Sequence, residues 1–256
     1  GDGAVELTLL GQNVNSYGRD FPSLSSGGGS ACAFAGLLSD VASISGLRRL
    51  RFTTSHPVDF TDDILEVMRA HANICPSINL PVQAGSDKVL SEMNRKYTKV
   101  QYMRTVKKIR DALPELGLTT DLIVGFPGET REEFEESLSL LEEAKFDLVH
   151  SAAYSPRAGT PAAIRGDQVP RAERARRLAL INETQSRISA EINAALVGRT
   201  FEVLIDEAAP KGEGLLQGRT GTDKVVLLKA PSDMTGAFRE ARITASSPWC
   251  LGGELV

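Results

Sequence analysis

Residues 118–137, LTTDLIVGFPGETREEFEES, constrain the fold more than any other stretch of this 256-residue chain. Leu122, Ile123 and Val124 read as a buried strand, GFPGE as a tight polar loop, and the residues after Thr130 as a helix. Thr130 and Glu133 stand at the capping-box spacing, with Glu132 and Glu133 in the first turn where acids suit the helix dipole. Phe134, Leu138 and Leu141 fall at i, i+4 and i+7, an apolar stripe that must lie on something. Gly125 and Gly128 bracket Pro127, which lets the backbone approach a ligand closely. Glu129 would repel the phosphate that helix N-terminal amides attract, so an amine or a hydroxyl-rich ligand fits better. An ordinary βα turn is the plain alternative.

The same strand–loop–helix grammar recurs along the chain. Val5–Leu10 leads into GQNVNSYG, whose amides Gln12, Asn13 and Asn15 suit a polar small molecule or simply make a turn. Residues 23–30, SLSSGGGS, read as a surface stretch, and Phe34 to Val41 as a short amphipathic helix. Leu50–Thr53 is the next strand; His56 follows it, held extended by Pro57, and reads as a structural hydrogen-bonder. Thr61 is placed to cap a helix carrying Asp62 and Asp63 in its first turn. Ile78–Leu80 opens a third unit whose loop bears Gln83 and Ser86. Leu148–Tyr154 is the last strand of the series, followed by SPRAGTPAA with Arg157, and Val169–Ala195 is a long helix. Five units that all place Gly, Pro and polar residues after the strand predict a parallel α/β barrel or open sheet with its site at the strands' carboxyl ends. Five are too few to close an eight-stranded barrel.

After Gly198 the rhythm changes. Thr200–Ile205, Gly214–Arg219, Lys224–Leu228, Ala237–Thr244 and Leu251–Val256 are short and β-rich, which predicts a small five-stranded barrel of the oligonucleotide-binding-like class. The expected division is 1–196 for the α/β part and 197–256 for the barrel.

The net charge of −4 gives no global reason to expect nucleic acid, so any such site must be local. From Lys88 to Arg110, eight Lys/Arg stand against one acid, a local +7. That run is either a solvated helix face or an RNA-backbone contact, with Lys96, Arg104, Lys107 and Lys108 as candidates. Residues 197–256 carry seven Lys/Arg against eight Asp/Glu, so RNA there would be read by shape and by placed residues such as Arg219 and Lys224. No apolar run approaches the roughly 20 residues of a membrane span, and a cytoplasmic setting is expected. Cys32, Cys75 and Cys250 lie far apart with no CxxC pair, so they read as free thiols and no metal site is assigned.

Five motifs in order, LLGQNVNSYG, RFTTSHPVDFTDD, INLPVQAGSDKVL, DLIVGFPGETREEFE and YSPRAGTPAA, followed by a small β-barrel, resemble the radical S-adenosylmethionine methylthiotransferases. The resemblance covers essentially the whole chain and is nearest to the branch that makes 2-methylthio-N6-dimethylallyladenosine in tRNA; the C-terminal part resembles the TRAM RNA-binding module. It implies a partial (β/α) barrel with S-adenosylmethionine at the strand ends. Gln12 and Asn13 would lie beside its methionyl and substrate region, and Ser55, Gln83 and Ser86 near its polar groups. Gly125 and Glu129 would support its adenine and ribose, with Arg157 in the final loop. It also implies two 4Fe–4S clusters in the whole enzyme, an electron donor, and the tRNA anticodon stem-loop as partner.

The family's CxxxCxxC triplet is not present in this chain, nor are the three cysteines of its second cluster. Both are expected upstream of Gly1, together with the barrel's first strand, so the chain is expected to ligate no cluster and to be inactive by itself. The alternatives are a sister methylthiotransferase acting on another tRNA adenosine or on a ribosomal protein, and a non-catalytic RNA-binding module. An unrelated metabolic α/β-barrel enzyme is disfavoured by the appended β-barrel.

Overall fold

The computed structural model describes residues 3–19, 33–209 and 214–256; the SLSSGGGS stretch and Cys32 lie outside the described residues. The first five strands are β1 (Glu6–Leu9), β2 (Arg49–Phe52), β3 (Ser77–Asn79), β4 (Gly117–Val124) and β5 (Leu148–Ala153). All run parallel, in spatial order β1-β2 and β3-β4-β5, with β2 joined to the second group through the Leu50–Ile74 bridge. Pro76 follows that bridge and has no N–H to donate, and from Ser77 onward the chain pairs with β4 instead. The connecting helices are α1 (Ala33–Ala42), α2 (Asp62–Ala70), α3 (Asp87–Glu92), α4 (Lys99–Ala112), α5 (Arg131–Ala144) and α6 (Arg171–Ala194). The result is an open half-barrel with helices on its convex side, as the five-unit pattern predicts.

Alternation along the strands divides the two faces. On β4, Leu118, Thr120, Leu122 and Val124 are buried beneath the helices, whereas Thr119, Asp121 and Ile123 are only half-buried and face the concave side. Tyr102, Phe134 and Phe146 fill the helix–sheet layer, and the Tyr102 hydroxyl is satisfied by the Leu80 carbonyl at 2.8 Å. Both sides of the capping box at Thr130 and Glu133 are made, as they are at Thr98 and Gln101 on α4. The expected cap at Thr61 is different: the residue sits at the N-cap position of α2, but its buried hydroxyl makes no capping bond.

The remaining strands are β6 (Thr200–Ala208), β7 (Leu215–Thr220), β8 (Val225–Lys229), β9 (Phe238–Ser246) and β10 (Leu251–Leu255). They close into a barrel in the order β10-β8-β7-β6-β9, filled by Val203, Ile205, Leu216, Val226, Leu228, Ala241, Ile243 and Leu251. Gly218 is required by this curvature, since a Cβ there would lie 2.3 Å from the Leu204 carbonyl oxygen.

The barrel docks on the amino-terminal end of the half-barrel strands. Arg49 donates to the carbonyls of Arg219 and Glu202, both at 2.7 Å. Arg51 donates to Thr220 O at 2.8 Å and Gly221 O at 3.1 Å, while its Nε holds Glu6 at 3.0 Å. A Cβ at Gly117, the first residue of β4, would meet Thr222 O at 2.4 Å. No helix among the described residues is long and apolar enough to cross a membrane.

Candidate active site

Backbone hydrogen bonds tie the carboxyl ends of all five parallel strands into one row. Val14 N reaches Thr54 O, Ser55 N reaches Asn79 O, Gln83 N reaches Asp121 O, and Tyr154 N reaches Val124 O. The loops carrying Asn13, Ser55, Gln83, Gly125 and Arg157 therefore stand side by side, as predicted. Two residues in this row hold positive φ without being glycine: Thr54 at 68° and Gln83 at 74°. A β-branched residue in the left-handed region is strained, and such strain concentrates at functional sites. Sequence reading missed Thr54, which carries no local signal.

The β1 and β2 loops are organised by Asp59, a residue the sequence did not single out. Its buried carboxylate accepts from Asn13 Nδ2 at 2.8 Å and Ser16 Oγ at 2.7 Å, and it pairs with Arg19. The short helical turn Pro57–Asp59 after β2 folds this carboxylate back under the first loop. Asn15, expected as a ligand-facing amide or a turn residue, clamps the backbone of His56 instead. Its Oδ1 accepts from His56 N at 2.8 Å and its Nδ2 donates to His56 O at 3.0 Å. The His56 ring packs edge-on against Tyr97, with centroids 5.7 Å apart, and its Nδ1 lies 3.8 Å from Asp59. Gln12 and Arg157 are exposed, and Ser86 is buried at the N-cap of α3 without a side-chain capping bond.

The β4–α5 loop is packed against α6 and the segment before it. A Cβ at Gly125 would lie 2.3 Å from Arg174 Cγ, and one at Gly128 2.6 Å from both Arg165 and Asp167. Both glycines have positive φ and are needed because α6 and the segment before it press on the loop. Glu129 is wholly buried; its Oε2 accepts from Gly125 N at 2.6 Å and from Arg177 Nη1 at 2.7 Å. The amine-like partner that Glu129 was expected to seek is thus Arg177 of α6. Burial pushes the Glu129 carboxyl above the usual range, with the Arg177 and Gly125 bonds pulling the other way.

Half of the basic residues from Lys88 to Arg110 are paired with neighbouring acids. Lys88 pairs with Glu133, Lys99 with Glu143, Lys107 with Asp111 and Lys108 with Asp62. Lys96 bonds Asn94 at 2.6 Å, and both Lys96 and Arg104 are exposed. In the small barrel, Lys224 is held by Asp147 at 2.6 Å in the inter-domain contact, and Arg219 by Asp223 at 3.0 Å. These two side chains are engaged within the chain.

Two groups at the loop row make its response to acid readable. Burial holds the His56 imidazole below its ordinary value, against the opposing pull of Asp59. For Asp59, burial would raise the carboxyl, but the bonds from Asn13, Ser16 and Arg19 win and hold it below the usual range. Each group binds fewer protons folded than unfolded, so stability drawn from it falls as pH falls. For His56 the loss begins near the ordinary value of about 6.5, and for Asp59 near about 4. Hydrogen exchange at the Val14 and His56 amides should show protection declining in these two windows; protection unchanged from pH 7 to 3 would contradict it.

Asn13 Oδ1, Ser55 Oγ and His56 Nδ1 are buried at this end without a hydrogen-bond partner. Together with the peptide groups of the strained Gln83 turn, they fit a ligand bearing an amine, a carboxylate and hydroxyls, as S-adenosylmethionine does. The described thiols do not fit an iron–sulfur cluster. Cys75 is buried beside Arg51 at the opposite end, with burial pushing its thiol up to about 11, and Cys250 lies in a turn of the small barrel. No grouping of His, Cys, Asp and Glu suited to a metal occurs among the described residues.

The fold and this row of loops define a partial (β/α) barrel with its site on strand-terminal loops, coupled to an oligonucleotide-binding-like barrel. The Radical SAM superfamily profile matches residues 12–141, and the TRAM domain profile matches residues 194–256. The chain belongs to the Radical SAM superfamily, whose chemistry uses S-adenosylmethionine with an iron–sulfur cluster. It is 44% identical over 254 residues to the tRNA-2-methylthio-N(6)-dimethylallyladenosine synthase of Acetivibrio thermocellus, covering 99% of this chain and 52% of that protein. The synthase of the same name from Carboxydothermus hydrogenoformans is 44% identical over 255 residues, covering 100% of this chain and 56% of the relative. The chain thus spans about half the length of these relatives.

Proposed function

We propose that this chain is the cofactor-cradling and RNA-binding portion of a cytoplasmic tRNA methylthiotransferase. The product would be 2-methylthio-N6-dimethylallyladenosine next to the anticodon. The observation that carries this reading is the 44% identity running through both the half-barrel and the small barrel to synthases of that name.

In this reading Asn13 and Ser55 would hold the polar groups of S-adenosylmethionine, with His56 kept neutral and Asp59 fixing the loop that presents Asn13. Gln83 and the Gly125 loop would shape the cradle, and Glu129, through Arg177, would act as a positioning residue. S-adenosylmethionine supplies, when reductively cleaved, a carbon radical able to take hydrogen from C2 of the isopentenylated adenine. The thiolates for the two expected clusters would have to come from outside the described residues, and an external donor would provide the electrons. The two domains would meet along the proposed boundary near residue 196, with exposed Lys96 and Arg104 available to the RNA backbone.

The test is nucleoside analysis of tRNA from cells deleted for the reading frame that encodes this chain. Loss of the methylthio group with accumulation of N6-isopentenyladenosine is the expected result. An unchanged level of that nucleoside, with loss of a methylthio group from another adenosine or a ribosomal protein, would transfer the chain to a sister activity.

A further inference from the structure

We propose that the indole of Trp249 is a stacking platform for an unpaired RNA base at the side opening of the half-barrel. The proposal rests on the RNA-modifying reading above and adds a contact residue to it.

Trp249 is the chain's single tryptophan and is 61% exposed, on the turn between β9 and β10. A large aromatic on the surface is unremarkable when its loop is loose, but this turn is fixed from two sides. Ser247 Oγ accepts from Trp249 N at 3.3 Å and from Cys250 N at 3.0 Å, and Ser247 N reaches Cys250 O at 2.9 Å. From the other domain, buried Asn193 of α6 donates to Ser247 O at 2.8 Å and to Pro248 O at 3.3 Å. α6 packs along β5, which pairs with β4 alone and so forms a free edge of the described sheet. The indole is therefore presented, already ordered, beside the opening of the concave face.

That opening leads into a cavity of about 560 Å³ lined by Trp249 together with Thr8, Asn79, Thr119 and His150 of the strands. Hydroxyl, amide and imidazole groups of this kind offer donors and acceptors to a base edge. Asn79 Nδ2 already donates to Thr119 Oγ1 at 3.2 Å, and an apolar protein segment would leave the remaining donors and acceptors unmatched. The charged groups at the cavity's inner end are matched to each other: Arg51 with Glu6, Lys224 with Asp147, Arg219 with Asp223. With no free basic field there, recognition has to come from stacking and edge contacts, and base–aromatic stacking tolerates any base.

Because the chain has one tryptophan, its fluorescence reports on this site alone. The chain would be titrated with an unmodified anticodon stem-loop RNA, following tryptophan emission and acrylamide quenching, while anisotropy of a labelled copy of the RNA gives binding independently. The expected result is quenching of the emission and protection from acrylamide on binding. Trp249→Ala should weaken binding roughly tenfold or more, and Trp249→Phe should restore most of it. Binding by anisotropy with unaltered emission and an unaffected Trp249→Ala variant overturns the stacking proposal and leaves the RNA reading intact. Absence of binding overturns both. An emission change that follows protein concentration without RNA overturns the proposal by giving the indole to a second copy of the chain.

Discussion

Replacing Arg177 by alanine is expected to cost about 3–5 kcal/mol, enough to unfold a marginal domain, because it strands a wholly buried carboxylate. Arg177 Nη1 bonds both Glu129 Oε2 at 2.7 Å and the Glu129 carbonyl at 2.9 Å, and its Nε reaches Glu173 at 2.9 Å. The guanidinium also lies 5.4 Å from the Phe134 ring, so the change removes packing as well as charge. Denaturant unfolding measures the loss. The double variant Glu129→Gln with Arg177→Met should recover most of it, since a neutral pair of similar volume leaves no buried charge and the glutamine oxygen can still accept from Gly125. A single substitution that costs less than about 1 kcal/mol would show that the pair does not secure the loop.

Arg49→Ala is expected to loosen the two domains from each other at a cost of about 3 kcal/mol or more, from the loss of two charge-assisted bonds. The Arg49 guanidinium is 5% exposed, bonds two carbonyls of the small barrel and lies 3.3 Å from Glu202. Bonds from a charged donor are worth about 1.5–3 kcal/mol each, and the substitution removes two of them. The parent chain should melt in one transition, whereas the variant should show two, with hydrogen exchange rising at the Arg219–Gly221 amides and not at Gly125. A single transition at the parent temperature would show that the domains are held elsewhere, with Lys224–Asp147 the first contact to change next.

The β4–loop–α5 unit was legible because its determinants are local: an apolar strand, two glycines and a capping box within twenty residues of sequence. The same locality let the five strands of the small barrel be placed within a few residues of their observed ends. What escaped was everything that depends on distant partners. Asn13 and Asp59 are 46 residues apart, and Arg49 and the Glu202 carbonyl 153 apart. The alternation RLRF on β2 looks like any amphipathic strand until the second domain is present to receive both arginines. The +7 stretch left an RNA face open beside a solvated helix because the acids that pair four of its residues, Asp62, Asp111, Glu133 and Glu143, all lie outside it in sequence. Lys224 and Arg219 were named for their charge, and that charge is used on Asp147 and Asp223.

The docking of the small barrel on the amino-terminal end of the strands makes the molecule a gauge. The loop row and the second domain are separated by the length of the strands between them. For β4 that is eight residues, about 26 Å at roughly 3.3 Å per residue. Arg49 and Arg51 fix this spacing with side chains, not with a hinge. Under the proposed function, an RNA that touched both ends would need its reactive base at a set distance from the part gripped below. Discrimination would then come from length: a stem one base pair too long or too short would seat at one end and miss the other.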